Sequence, residues 1–208
     1  MEPDDAALMR AYAAGDARAF ERLYARHSGA LYRFVRRLLG REAGTQCDEV
    51  FQDIWLRVVR ARERWSPQGA TFRTWLFTLA HHRAIDVLRR SGREVSTGAA
   101  DDDEAEREPW QPAPASEAWR DWPAAPSSNV EDSSFWRAAG QRLLDCLDGL
   151  PAVQRSAFLL HHEDGLAVDE LARTLDVGFE TAKSRLRYAM SKLRACMGAY
   201  LPAGMSST

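Results

Sequence analysis

Lysine is almost missing from this chain: 2 of its 28 basic residues are Lys and the rest are Arg. Cysteine is scarce as well. Cys47, Cys146 and Cys196 stand far apart with no C-x-x-C pair. An odd, scattered set suits a reducing compartment and argues against a disulfide framework. Long apolar runs are absent, since none approaches the roughly 18 residues that a membrane span needs. Residues 1–5 are acidic, unlike the basic start of a signal peptide. These absences predict a cytoplasmic protein without direct membrane insertion. Catalytic groupings are missing too. The 5 His and 30 acidic residues form no triad, P-loop or H-E-x-x-H arrangement, so neither an enzyme nor a cofactor is expected.

What the chain does have is uneven charge. Its net formal charge of −2 discourages a nucleic-acid reading until it is divided along the sequence. Residues 1–95 carry 17 basic and 12 acidic groups, or +5; residues 96–134 carry 2 and 10, or −8; residues 135–208 carry 9 and 8, or +1. Two basic-to-neutral blocks therefore flank an acidic bridge. That bridge holds Asp101-Asp102-Asp103-Glu104 and then Pro109, Pro112, Pro114, Pro123 and Pro126. Proline denies helix continuation and like charges repel, so a flexible, extended tether is expected over 96–134. Trp110, Trp119 and Trp122 are unusual in such a tether; packing on the flanking domains and docking on a partner are equally good accounts of them.

On both sides the apolar spacing is helical. In Ala19–Leu39, Phe20, Leu23, Tyr24, Leu31, Phe34, Val35 and Leu38 recur at steps of three and four. His27 falls on the same stripe and reads as a packed core histidine. Cys47–Arg60 repeats the pattern with Val50, Phe51, Ile54, Trp55, Val58 and Val59, and Thr71–Arg90 repeats it with Phe72, Trp75, Leu76, Leu79 and Leu88. No long alternation of period two is present, so the fold class is all-α.

The second block has a shorter rhythm. A helix over Phe135–Leu150 precedes Pro151, which opens another that stops near Asp164-Gly165. Val168–Leu175, the turn Asp176-Val177-Gly178 and a long helix from Phe179 to Met197 then make a helix-turn-helix pattern. Ala182, Leu186, Ala189, Met190, Leu193 and Met197 form the expected buried face of the last helix. Its other side holds Lys183, Arg185, Arg187, Lys192 and Arg194 against one acid, Glu180. A helix-turn-helix puts the start of its second helix in the major groove, where such cations reach guanine acceptors or phosphates.

In the first block Ala19-Phe20-Glu21-Arg22-Leu23-Tyr24, Leu31-Tyr32-Arg33-Phe34, Asp48-Glu49-Val50-Phe51-Gln52-Asp53-Ile54-Trp55, Phe72-Arg73-Thr74-Trp75-Leu76 and Arg83-Ala84-Ile85-Asp86-Val87-Leu88-Arg89-Arg90 follow in order. In the second come Leu150-Pro151, Gln154-Arg155, Asp164-Gly165-Leu166, Glu170-Leu171-Ala172 and Lys183-Ser184-Arg185-Leu186. These stretches resemble the second and fourth conserved regions of the extracytoplasmic-function (ECF) group of bacterial RNA polymerase sigma factors. The resemblance implies two small helical domains: a region 2-like domain over 1–95 and a region 4-like domain over 135–200. The acidic linker 96–134 joins them, and a flexible tail, 201–208, follows.

The same resemblance implies an alternative sigma factor that binds the clamp and flap surfaces of core RNA polymerase and directs promoter-specific initiation. Asp48, Glu49, Gln52 and Asp53 would grip the clamp. Trp75, His81, His82, Arg83, Arg89 and Arg90 would read and melt the −10 element, with a flipped base held around a loop after Trp75–Leu79. Lys183, Ser184, Arg185, Arg187 and Tyr188 would read −35. The linker would run through a basic polymerase channel as a nucleic-acid mimic, and an anti-sigma protein is a partner by resemblance only.

Three departures from the family pattern stand out. Ala80-His81-His82 replaces Ala-Arg-Asn, which changes the donor and acceptor set at the −10 base. Gly178 and Glu180 stand where Pro and Gly are common, which puts an acid beside phosphate. His161-His162 are adjacent, poorly spaced for a metal and far from any cysteine, so no metal site is expected. The alternative reading is a free-standing helix-turn-helix regulator that binds DNA tightly by itself.

Overall fold

A computed structural model of the protein describes residues 3–67, 69–91 and 130–198. Among these residues are eight α-helices and one 3-10 turn, and no strand. The helices are α1 (Asp5–Ala13), α2 (Ala17–Ala43), α3 (Cys47–Ala61), α4 (Phe72–Arg90), α5 (Val130–Asp148), α6 (Ala152–His162), α7 (Val168–Leu175) and α8 (Phe179–Met197). They fall into two compact units: the first holds α1–α4 and the second α5, α6 and α8, with α7 divided between them after Leu171. Most of the acidic linker lies outside the described residues, including Trp110, Trp119, Trp122 and the proposed path through the polymerase, as does the tail 201–208.

The first unit is built around α2. Leu23, Leu31, Phe34, Val35 and Leu38 are buried along one side of it, and α1, α3 and α4 pack against it. Apolar side chains at steps of three and four leave water together only if the helix lies against its neighbours, which is the chief source of stability for such helices. Gly40 breaks the helical path with φ +69, a value that L side chains rarely adopt, and the chain turns there into α3. Phe34 and Phe77 meet edge-on, with ring centroids 5.3 Å apart, in the core between α2 and α4. The Thr71 hydroxyl caps α4 by accepting from Thr74 N–H at 3.1 Å.

Helix α1 went unread in the sequence because nine residues carry too short a pattern. Its signal was local: Asp4 accepts from Ala7 N–H at 2.7 Å as a cap, and Leu8 and Met9 are buried. His27 is buried, as its stripe predicts, and its Nε2 donates to Asp5 Oδ2 at 2.8 Å. Arg26 pairs with the other Asp5 oxygen, so one carboxylate ties α1 to α2. Burial raises the Asp5 carboxyl, but His27 and Arg26 outweigh it and hold the group below its usual range.

In the second unit α6 is the central helix, with every residue from Ala152 to His161 buried. Gly165, at φ +67, closes its C-terminus so that Leu166 N–H donates back to Leu160 O at 3.0 Å. His161 Nδ1 donates to Leu166 O at 2.7 Å, which commits that ring to the same turn. The turn after α7 uses Asp176 at φ +53, a left-handed position that short polar side chains tolerate.

The cysteines require a correction. Their scatter in sequence argued against a disulfide, yet Cys146 and Cys196 are bonded. The physical reason is helix packing: α5 lies against α8, which brings positions 50 residues apart to a Cα separation of 5.9 Å. Cys47 is free and buried, consistent with a small apolar filler.

Candidate polymerase and nucleic-acid interfaces

Helix α3 buries Cys47, Val50, Ile54, Trp55 and Val58. The opposite side follows from the 3.6-residue period, and Asp48, Glu49 and Gln52 are exposed on it. Asp48 accepts from the Tyr32 hydroxyl at 3.0 Å, which raises the tyrosine above its usual range. Asp53 differs from the other three. It is half-buried and pairs with Arg57 at 3.1 Å and with Arg83 of α4 at 2.7 Å. Burial raises its carboxyl, but Arg57 and then Arg83 overcome this and hold it below the usual range. Leu56 is 51 % exposed beside this surface. Sequence reasoning missed it, although its position off the apolar stripe, at 49, 52 and 56 spacing, was the available signal.

Helix α4 separates the six residues assigned to −10 reading. His82, Arg89 and Arg90 are exposed. At steps of about 100° per residue they share one side of the helix with Asp86, also exposed. His81 is 4 % exposed and faces the interior, so the expectation that both histidines meet DNA is corrected. Adjacent residues on a helix point about 100° apart, and the core takes one of the two. Arg83 is committed to Asp53. Trp75 is half-buried against Phe72 and Trp65, with ring centroids at 5.9 and 6.4 Å. The loop expected after Trp75–Leu79 does not exist, because α4 runs unbroken to Arg90. Among the described residues, 62–67 and 69–71, just before α4, are irregular.

Helix α8 buries Ala182, Leu186, Ala189, Leu193 and Met197 as the periodicity predicts, with Met190 only half-buried. Lys183, Ser184, Arg185, Arg187 and Tyr188 are half-exposed along the remaining sides, and Lys192 and Arg194 are exposed further on. Glu180 lies one turn from Lys183 at 3.5 Å, an exposed pair that adds little stability. Arg142 of α5 donates through Nε and Nη2 to Cys196 O at 3.3 and 3.2 Å, placing a cation at the negative end of α8. Phe179, the first residue of α8, is 50 % exposed and was not singled out by the sequence. No helix among the described residues is long and apolar enough to cross a membrane.

Two chemically distinct surfaces result. One is an exposed acidic and amide patch on α3, beside an α4 side bearing His82 and two arginines. The other is a helix-turn-helix whose second helix carries five cations and one acid.

Comparison with known proteins gives a family match in each part of the chain. Residues 23–94 match the Sigma-70 region 2 family and residues 140–193 match the Sigma-70, region 4 family. The ECF RNA polymerase sigma factor SigK of Mycobacterium sp. (strain KMS) is 32% identical over 195 residues, covering 92% of this chain and 89% of that protein. SigK of Mycobacterium ulcerans (strain Agy99) is 33% identical over 197 residues, covering 93% of each. Among solved structures, CnrH in complex with the cytosolic domain of CnrY superposes with a TM-score of 0.62 at 25% identity, over 94% of this chain and 97% of that one. The sigma factor RpoE of Bartonella quintana, solved with the anti-sigma factor NepR, shares the fold with a TM-score of 0.59 at 22% identity, over 86% of this chain and 96% of that one. The chain belongs to the ECF group of RNA polymerase sigma factors, the alternative sigma factors that direct promoter-specific transcription initiation.

Proposed function

We propose that the region 2-like domain, assigned to 1–95, docks on the core polymerase clamp through Asp48, Glu49 and Gln52. Asp53 acts from behind this patch through its pairs with Arg57 and Arg83. The observation that carries the reading is that three polar side chains of one helix are exposed together while its opposite side is buried. An acidic patch of this kind steers toward a basic partner and fixes its register. On the neighbouring side of α4, His82 meets the −10 base, and Arg89 and Arg90 hold the backbone through charge.

The region 4-like domain, assigned to 135–200, reads −35 through Lys183, Ser184, Arg185, Arg187 and Tyr188. Support comes from their placement on the sides of α8 left open by the buried stripe. The chain is a binding factor and not an enzyme, because the chemistry of RNA synthesis stays with polymerase. It works in the cytoplasm, where polymerase and promoter meet. An anti-sigma protein as a further partner is supported by family membership.

Run-off transcription with purified core polymerase tests the whole reading. Promoter-specific transcripts are expected only when the protein is added, with weak DNA binding by the protein alone. Tight specific binding without polymerase, and no transcript with it, would favour a free-standing helix-turn-helix regulator.

A further inference from the structure

Phe179 is an anomaly among the apolar residues of α8. The helix buries Ala182, Leu186, Ala189, Leu193 and Met197, whereas Phe179 remains half-exposed at its first position. Its neighbours Gly178 and Glu180 are exposed as well. Single exposed apolar side chains are common, but this ring stands at the start of the helix that the −35 reading puts in the major groove, where DNA would cover it.

The chemistry of the first turn restricts what that surface is. Phe179, Glu180, Thr181 and Ala182 include no cation, and the positive charges begin only at Lys183. Glu180 is the one charged side chain of this turn, and phosphate repels it. In a helix-turn-helix the first residues of the second helix face base edges while later cations hold the backbone. Base edges of the major groove offer one apolar feature, the C5-methyl group of thymine, which is a known kind of partner for a Phe ring. The five cations from Lys183 to Arg194 commit the occupant to DNA by charge.

We propose that Phe179 is a specificity-determining residue that packs its ring on a thymine methyl in the −35 element. Glu180 beside it favours an exocyclic amine, cytosine N4 or adenine N6, over the guanine and thymine acceptors. This inference rests on the reading of α8 as the −35 helix. It goes beyond the stretch from Lys183 to Tyr188 by adding a non-electrostatic contact one turn earlier.

The test uses holoenzyme assembled from core polymerase and the full chain, on promoter fragments whose −35 thymines are replaced one at a time by deoxyuridine. Deoxyuridine pairs as thymine does but lacks the methyl. With the unaltered protein, one replacement is expected to lower promoter affinity about fourfold, the worth of one buried methyl. Phe179→Ala is expected to lose about the same on the thymine promoter and then to ignore the replacement. Phe179→Leu is expected to keep most of the discrimination. The proposal is overturned if no thymine is sensitive in the unaltered holoenzyme, or if Phe179→Ala discriminates as well as the parent. Lys183→Ala separates the two levels: if it transcribes as the parent does, α8 is not the −35 helix and the underlying reading fails.

Discussion

Asp53 on α3 and Arg83 on α4 form a direct ion pair of 2.7 Å. The resemblance assigned one of them to polymerase and the other to DNA. In the structure they pair with each other, Asp53 with Arg57 as well, and the side chains are largely withdrawn from solvent, 27% and 13% exposed. Their charges cancel locally, so the pair acts chiefly on the packing of α3 against α4.

Asp53→Asn is expected to destabilise the first unit by about 1–3 kcal/mol because it strands Arg83, and Arg83→Gln by less because Asp53 keeps Arg57. The double variant is expected to lose less than the sum, and thermal unfolding of all three measures the coupling. The pH dependence has a definite sign. Asp53 is held below its usual range, so its contribution is full above the ordinary carboxylate pKa and is lost as pH falls through the lowered value. Asp53→Asn should flatten this acid limb; an unchanged limb would show that other carboxylates set it.

Glu49 is exposed, so reversing its charge leaves the fold intact and tests the proposed docking alone. Glu49→Arg is expected to weaken core polymerase binding about tenfold or more while leaving the melting temperature unchanged. Asp53→Arg is expected to lose both together. Competition binding to core polymerase, read beside thermal melts, distinguishes the two classes of residue.

The two adjacent histidines are predicted to separate in the same way. His82→Asn should shift the preferred −10 base in a promoter library and leave stability alone. His81→Asn, in the interior, is expected to cost about 1–3 kcal/mol and leave base preference unchanged. Identical library profiles for His82→Asn and the parent protein would remove His82 from the base site.

The Cys146–Cys196 bond closes a loop of 50 residues. Chain-entropy reasoning gives such a closure about 4 kcal/mol of stabilisation. Replacing both cysteines by alanine is expected to lower the unfolding temperature of the second unit while the first unit keeps its own. Added reductant should bring the parent protein to the level of the variant. Equal stability of parent and variant under oxidising conditions would show that the bond contributes nothing.

Much of the molecule was legible in one dimension because periodicity and burial are the same fact for a helix. The stripes Leu23–Leu38, Val50–Val58 and Ala182–Met197 name their own buried sides, and the acidic patch of α3 follows as the complement. Helix α1 escaped this logic because nine residues and two buried side chains make too short a period. Phe179 escaped it because it continues the apolar stripe in sequence and leaves the core only where the helix begins.

What the sequence determined alone was therefore local: the all-α class, the positions of seven of the eight helices, the helix-turn-helix and the family. The first three follow from spacing within about twenty residues, and the family from motifs that follow in order across both blocks. Only tertiary structure decided which charges are available to a partner and which are spent internally. Asp53 and Glu49 look alike in sequence, but one meets Arg83 across two helices and the other meets solvent. The same holds for Cys146 and Cys196, whose proximity belongs to the packing of α5 on α8. Periodicity tells each helix which side to bury but not what will lie opposite, and that choice is made when the helices come together.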